Sequence, residues 1–169
     1  MQTNVLCVTL AAMFTSAFAF DAAAGDIDVQ APCPKNNNGY CDVAATLPVT
    51  VRSYSFKRAR SGRALITFEA SLVCDNLQAT PATAQFFGQI ATGASDPPNF
   101  QQPGGWRSTE QLPASDSMTV ESTDNFSVSR EISYGAGKRT TVYFNFDENY
   151  NLGLGCVWTR AAFTAVFSN

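Results

Sequence analysis

Hydrophobic and polar residues alternate along much of this chain with a period of two. The clearest stretch is 64–74, where Ala64, Ile66, Phe68, Ala70, Leu72 and Cys74 fall on one side and Leu65, Thr67, Glu69, Ser71 and Val73 on the other. Such alternation sends successive side chains to opposite faces of a strand and turns one face toward a core. The same pattern predicts strands over 47–56, where Leu47, Val49 and Val51 alternate with Thr50, Arg52 and Tyr54, and over 84–92, 117–122, 126–134, 139–146 and 155–167. In 126–134, Phe126, Val128, Ile132 and Tyr134 share a face that Arg130 interrupts. In the last segment Val157, Thr159, Ala161, Phe163, Ala165 and Phe167 alternate with Trp158, Arg160 and Val166. Gly88 in mid-strand predicts a bulge or a close backbone approach.

Turn residues separate these runs. Ser61-Gly62 and Gly135-Ala136-Gly137-Lys138 predict hairpin tips, and Asp147–Asn151 an Asx-rich turn. Residues 93–116, with Pro97, Pro98, Pro103, Pro113 and Gly104-Gly105, form the longest run without a strand pattern. No helical stripe follows the leader. About seven or eight strands predict an all-β fold, an antiparallel two-sheet β-sandwich of jelly-roll-like or immunoglobulin-like topology. Trp106 does lie between Cys74 and Cys156, but Leu154 stands where a tyrosine corner would need Tyr.

The first residues read as a secretory signal. Val5–Phe14 is an apolar core too short to span a bilayer, and Ala17-Phe18-Ala19 is a small-x-small cleavage site with a cut near Ala19/Phe20. The expected organisation is a signal peptide over 1–19, a lead-in with a small disulfide loop over 20–46, and one sandwich domain over 47–169. Removing the signal discards Cys7 and leaves four cysteines, for which three pairings exist. Cys33 and Cys41 bracket a turn-rich loop and Cys74 and Cys156 sit in strand-like runs, so Cys33–Cys41 with Cys74–Cys156 is expected. The loop-closure model credits the longer link with roughly 4–5 kcal/mol. A zinc site is disfavoured, since there is no CxxC and no histidine. Paired cysteines and an export signal together place the chain in a secreted or periplasmic setting.

The absence of histidine removes Ser-His-Asp and Cys-His nucleophiles, imidazole metal ligands and histidine switches. No Gly-rich phosphate loop is present. The run Asp147-x-Asn149-x-Asn151 begins like a calcium loop but continues with Leu152 and Trp158 where Gly and Glu are required. No cofactor and no metal are expected. A net charge of −3 argues against general nucleic-acid binding, and no segment after the leader is long enough for a membrane helix.

Two groups of residues are candidates for contact. On the long Gly/Pro run, Trp106 and Phe100 could stack on a sugar face, with Arg107 as a donor; alternatively Trp106 caps the core. Lys57, Arg58, Arg60 and Arg63 crowd one turn, where they are either a solvated tip or a contact for an anionic surface or polysaccharide. Glu69, Glu121, Glu131, Asp147 and Glu148 lie on strands or their ends and read most simply as outward residues. The sequence thus favours a secreted, non-enzymatic binding protein whose partner is an extracellular glycan or protein. A structural component of an envelope, coat or appendage comes second, and a carboxylate-dependent glycoside hydrolase or lyase third.

Overall fold

The computed structural model describes residues 26–43, 49–76, 78–94, 96–112, 114, 121–150 and 154–168. The expected signal peptide and most of the expected strand over 117–122 lie outside them. Eight strands are described: β1 (Asp26–Val29), β2 (Val49–Lys57), β3 (Gly62–Asn76), β4 (Ala82–Ala91), β5 (Gly105–Leu112), β6 (Glu121–Tyr134), β7 (Arg139–Tyr150) and β8 (Leu154–Ser168). They form two antiparallel four-stranded sheets, ordered β1-β8-β3-β6 and β2-β7-β4-β5. Only β4 and β5 are chain neighbours within a sheet. The immunoglobulin order keeps the first two strands together, whereas crossing between sheets at nearly every connection is the jelly-roll order. Among the described residues no helix is long and apolar enough to cross a membrane.

The stretch over 64–74 is internal to its sheet, pairing β6 along one side and β8 along the other. Both disulfides join the expected partners, and Cys74–Cys156 links residues directly opposite in the β3–β8 register. The inward faces interlock through aromatic rings. Phe68 of β3 stacks on Phe144 of β7 with centroids 4.0 Å apart and planes 11° apart. Phe126, Phe163 and Trp158 pack around that pair. Pairs of this kind add about 0.5–1.5 kcal/mol each beyond the apolar area they bury.

Five sequence expectations are corrected. The turns at 58–61 and 135–138 are not hairpin tips: each carries the chain from one sheet to the other, so β6 pairs with β3 and not with β7. Reversal signals mark where a chain turns, not whether the returning strand pairs or packs across the core. Trp158 faces inward, because β8 bulges at Thr159: Leu72 pairs with Trp158 and Ser71 with Arg160. A second bulge, at Val51 in β2, brings both Tyr54 and Phe56 inward. The run 93–116 contains β5, and the expected turn after Phe146 is strand through Tyr150.

Gly88 resolves as a close approach. The β4 register runs through it without a shift, opposite Trp106 and Phe146, and a Cβ there would overlap the Phe144 ring. Gly88→Ala should therefore cost about 1–3 kcal/mol in urea unfolding. Gly135→Ala, where the added methyl meets only the Lys138 side chain at 3.4 Å, should stay within about 0.5 kcal/mol of the parent.

Candidate functional site

Strand alternation decides which candidate residues meet. Trp106 and Arg107 are consecutive in β5 and project to opposite faces. Trp106 turns inward, half-buried, and stacks on Phe126 with centroids 4.0 Å apart and planes 13° apart. Arg107 turns to the outer face of the β2-β7-β4-β5 sheet, opposite Phe87 of β4. Phe100 lies against that same face, its ring stacked on Phe87 with centroids 5.5 Å apart. The Arg107 guanidinium carbon stands 5.2 Å from the Phe100 centroid and 5.8 Å from the Phe87 centroid, within cation–π range of both. Phe100 and Arg107 thus share a cluster from which Trp106 is absent.

Two further members are not grouped with them from the sequence: Phe87 is not singled out there, and Asp147 reads only as an outward carboxylate and turn residue. Phe87 follows Phe86, and in an alternating strand one of two consecutive phenylalanines must face out; that dipeptide was the available signal. Asp147, on the far side of Phe87 in β7, completes the row Asp147–Phe87–Arg107 across three strands. Two strand spacings put the carboxylate and guanidinium backbones about 10 Å apart.

The loop that presents Phe100 is fastened to the sheet by buried amides. Asn145 is fully buried on the outward side of β7; its Nδ2 donates to the carbonyls of Gly93 (2.9 Å) and Asp96 (3.0 Å), and its Oδ1 accepts from Thr50 Oγ1 (2.8 Å). Gln89, likewise outward on β4, accepts the Asn99 amide at 2.9 Å. These satisfied polar groups hold an irregular segment rigidly on a regular face.

The long edges of the sandwich close by different chemistry. Between β1 and β2, the Tyr54 hydroxyl donates to Asp28 at 2.5 Å, Arg58 pairs with Asp26, and Arg52 donates to Gln30 Oε1 and the Ala31 carbonyl. Burial, then the hydrogen bond to Asp28 and its negative charge, hold the Tyr54 phenol well above the usual tyrosine range. At the other edge, Arg130 explains its break in the apolar pattern: it donates to the Ile90 carbonyl at 2.6 Å beneath Gly104.

At the disulfide end, the Cys33–Cys41 loop turns on Asn36, whose Oδ1 accepts the amides of Asn38 and Tyr40, with Gly39 at φ 83°. The loop docks on β8 around its bulge, through Cys33 N to Ala161 O and Cys41 N to Trp158 O. Beside it a cleft of about 250 Å³ is lined by Tyr40, Val49, Leu72, Phe146, Glu148 and Trp158, among others. Of the candidate carboxylates, Glu69 pairs with Arg160 and Glu131 with Arg63, while Asp147 and Glu148 are consecutive on β7 and point to opposite faces. Among the described residues no three Cys, Asp or Glu side chains gather as a metal site.

The basic candidates sit at the opposite end. Lys57 and Arg60 are exposed, and Arg58 and Arg63 are engaged by Asp26 and Glu131. No protein-family model matches the chain, and no curated protein is similar to it in sequence.

Two outcomes check this geometry. Trp106→Ala should lower stability by roughly 2–3 kcal/mol, since it strips the cover from Phe126, whereas Phe100→Ala should cost under about 1 kcal/mol. For Tyr54, the folded pKa lies above the unfolded value of about 10, so its contribution is complete below pH 10 and is lost progressively as the pH rises from there through the folded value. Tyr54→Phe should be less stable than the parent by roughly 1–2 kcal/mol at pH 8, and the gap should narrow by pH 11 in paired denaturant titrations.

Proposed function

We propose that this chain is an exported, non-catalytic carbohydrate-binding module that contacts its glycan through Phe87, Phe100, Arg107 and Asp147. The reading rests on one observation: an aromatic pair with an arginine held against it, on an outer sheet face, clamped by the amides of Gln89 and Asn145. A sugar ring offers apolar C–H faces and an equatorial rim of hydroxyls. The partly exposed Phe100 ring suits the first, and a donor and an acceptor carried on backbones about 10 Å apart suit the second. A loop already fixed by buried hydrogen bonds loses little further entropy on binding. The two disulfides fit the oxidising compartment in which extracellular glycans are met.

A glycan array probed with the chain lacking residues 1–19 tests the reading. It should reveal at least one neutral glycan bound by the parent. Phe100→Ala and Arg107→Ala should each weaken that binding at least tenfold in calorimetry while melting within a few degrees of the parent. No glycan bound, or parent-like binding by both variants, removes the proposal.

A further inference from the structure

The end of the sandwich remote from the disulfides carries a charge arrangement that the outer-face cluster does not use. The turn after β2 and the turn after β6 lie side by side, joined by the Gly137 amide donating to the Arg58 carbonyl at 2.8 Å. Together they gather Lys57, Arg58, Arg60, Arg63, Lys138 and Arg139, six of the eleven basic residues of a chain whose net charge is −3. Sequence reading found four of these; Lys138 and Arg139 lie about 75 positions away along the chain and join only through the sheet-to-sheet crossing. Among the described residues, two carboxylates answer them: Asp26 pairs with Arg58 and Glu131 with Arg63. Lys57, Arg60, Lys138 and Arg139 are all exposed, and none forms an ion pair among the described residues.

Lys57 and Arg139 are moreover direct partners in the β2–β7 register, where like charges oppose pairing. A hollow of about 250 Å³ opens beside the turn after β2, lined by Asp26, Arg58, Ala59, Arg60, Tyr134 and Phe167. Its floor is rigid: the Arg58 guanidinium carbon sits 3.7 Å from the Phe167 centroid while its nitrogen engages Asp26. The other turn residues are small, namely Ala59, Ser61, Gly62, Gly135, Ala136 and Gly137, so a stiff chain can approach the cations closely.

We infer that this end is a second binding site, for a polyanionic polysaccharide bearing sulfate or uronate groups and lying across both turns. Guanidinium forks match both anions with paired hydrogen bonds. A bilayer is a poorer fit, because the turns expose no large apolar side chain for insertion; Leu65 and Val166 stand on the outer sheet face instead. Nucleic acid is a poorer fit as well, because Tyr134 and Phe167 are buried and the turns offer no ring for a base to stack on. The site is separate from the outer-face cluster: Arg139 and Asp147 are eight residues apart on β7, roughly 27 Å.

The test compares the parent chain with the quadruple variant K57Q/R60Q/K138Q/R139Q on dextran sulfate, polygalacturonate, phosphatidylserine vesicles and duplex DNA across a salt series. The parent should bind one or both polysaccharides at physiological salt; binding to one alone identifies which anion the site prefers. The variant should lose at least 100-fold in affinity, and its log–log salt slope should be shallower by roughly two to four. Its melting temperature should equal or exceed the parent's, since a like-charge pair is removed, and neutral-glycan binding at Phe100 should be unchanged. Parent-like polysaccharide binding by the variant would overturn the inference. So would failure of the parent to bind either polysaccharide, or tighter parent binding to vesicles or DNA.

Discussion

The face-to-face contact between Phe68 and Phe144 sets the terms for the rest of the molecule. It joins the middle of one sheet to the middle of the other, and both rings are completely buried. Because Phe144 lies flat across the interior, β4 must pass it without a side chain, and Gly88 supplies that gap. The bulge in β8 then brings Trp158 to the same side as the Phe68 pair, where it meets Phe144 and Phe146 edge-on. A close-packed interior tolerates few alternatives to this set of ring orientations.

Among the described residues, that packing leaves side chains open to solvent only at the margins. The inward faces are filled, so contact chemistry is confined to the outer sheet face and to the two ends. On the outer face, hydrogen-bonded buried amides lock a Pro/Gly-rich segment in place and leave Phe100 and Arg107 projecting. The β1–β2 edge is closed by hydrogen bonds and ion pairs, the β5–β6 edge by a stacked indole and a buried-side arginine. The first kind of closure is sensitive to pH and salt, and the second much less so.

Much of the strand content was legible because eleven residues of unbroken alternation at 64–74 admit hardly any other structure. The cysteine pairing was legible from loop length and context. What the sequence could not display was phase. A single extra residue at Val51 or Thr159 puts the positions on its two sides out of phase, so Tyr54 after the first and Trp158 before the second read as outward when they face in. Edge strand β5 was hidden by its mixed composition, GWRSTEQL, with Trp106 and Leu112 as its only large apolar side chains. Two of the three residues grouped around Trp106 do meet, Phe100 and Arg107, and the third faces away for the same reason that Phe86 and Phe87 part company. Topology was the least visible level, since short turns serve pairing strands and crossing strands alike.

The position of β8 bears on how the chain acquires this shape. It lies between β1 and β3, matching Asp26 with Phe167 and Cys74 with Cys156. β1 cannot find its partner, nor β3 its second one, until the chain has been made through Ser168, so this sheet is assembled from distant parts of the sequence. Such topologies fold slowly, on the order of milliseconds to seconds. Until then β1 and one side of β3 present unpaired backbone, and Cys74 is without the partner that closes its disulfide.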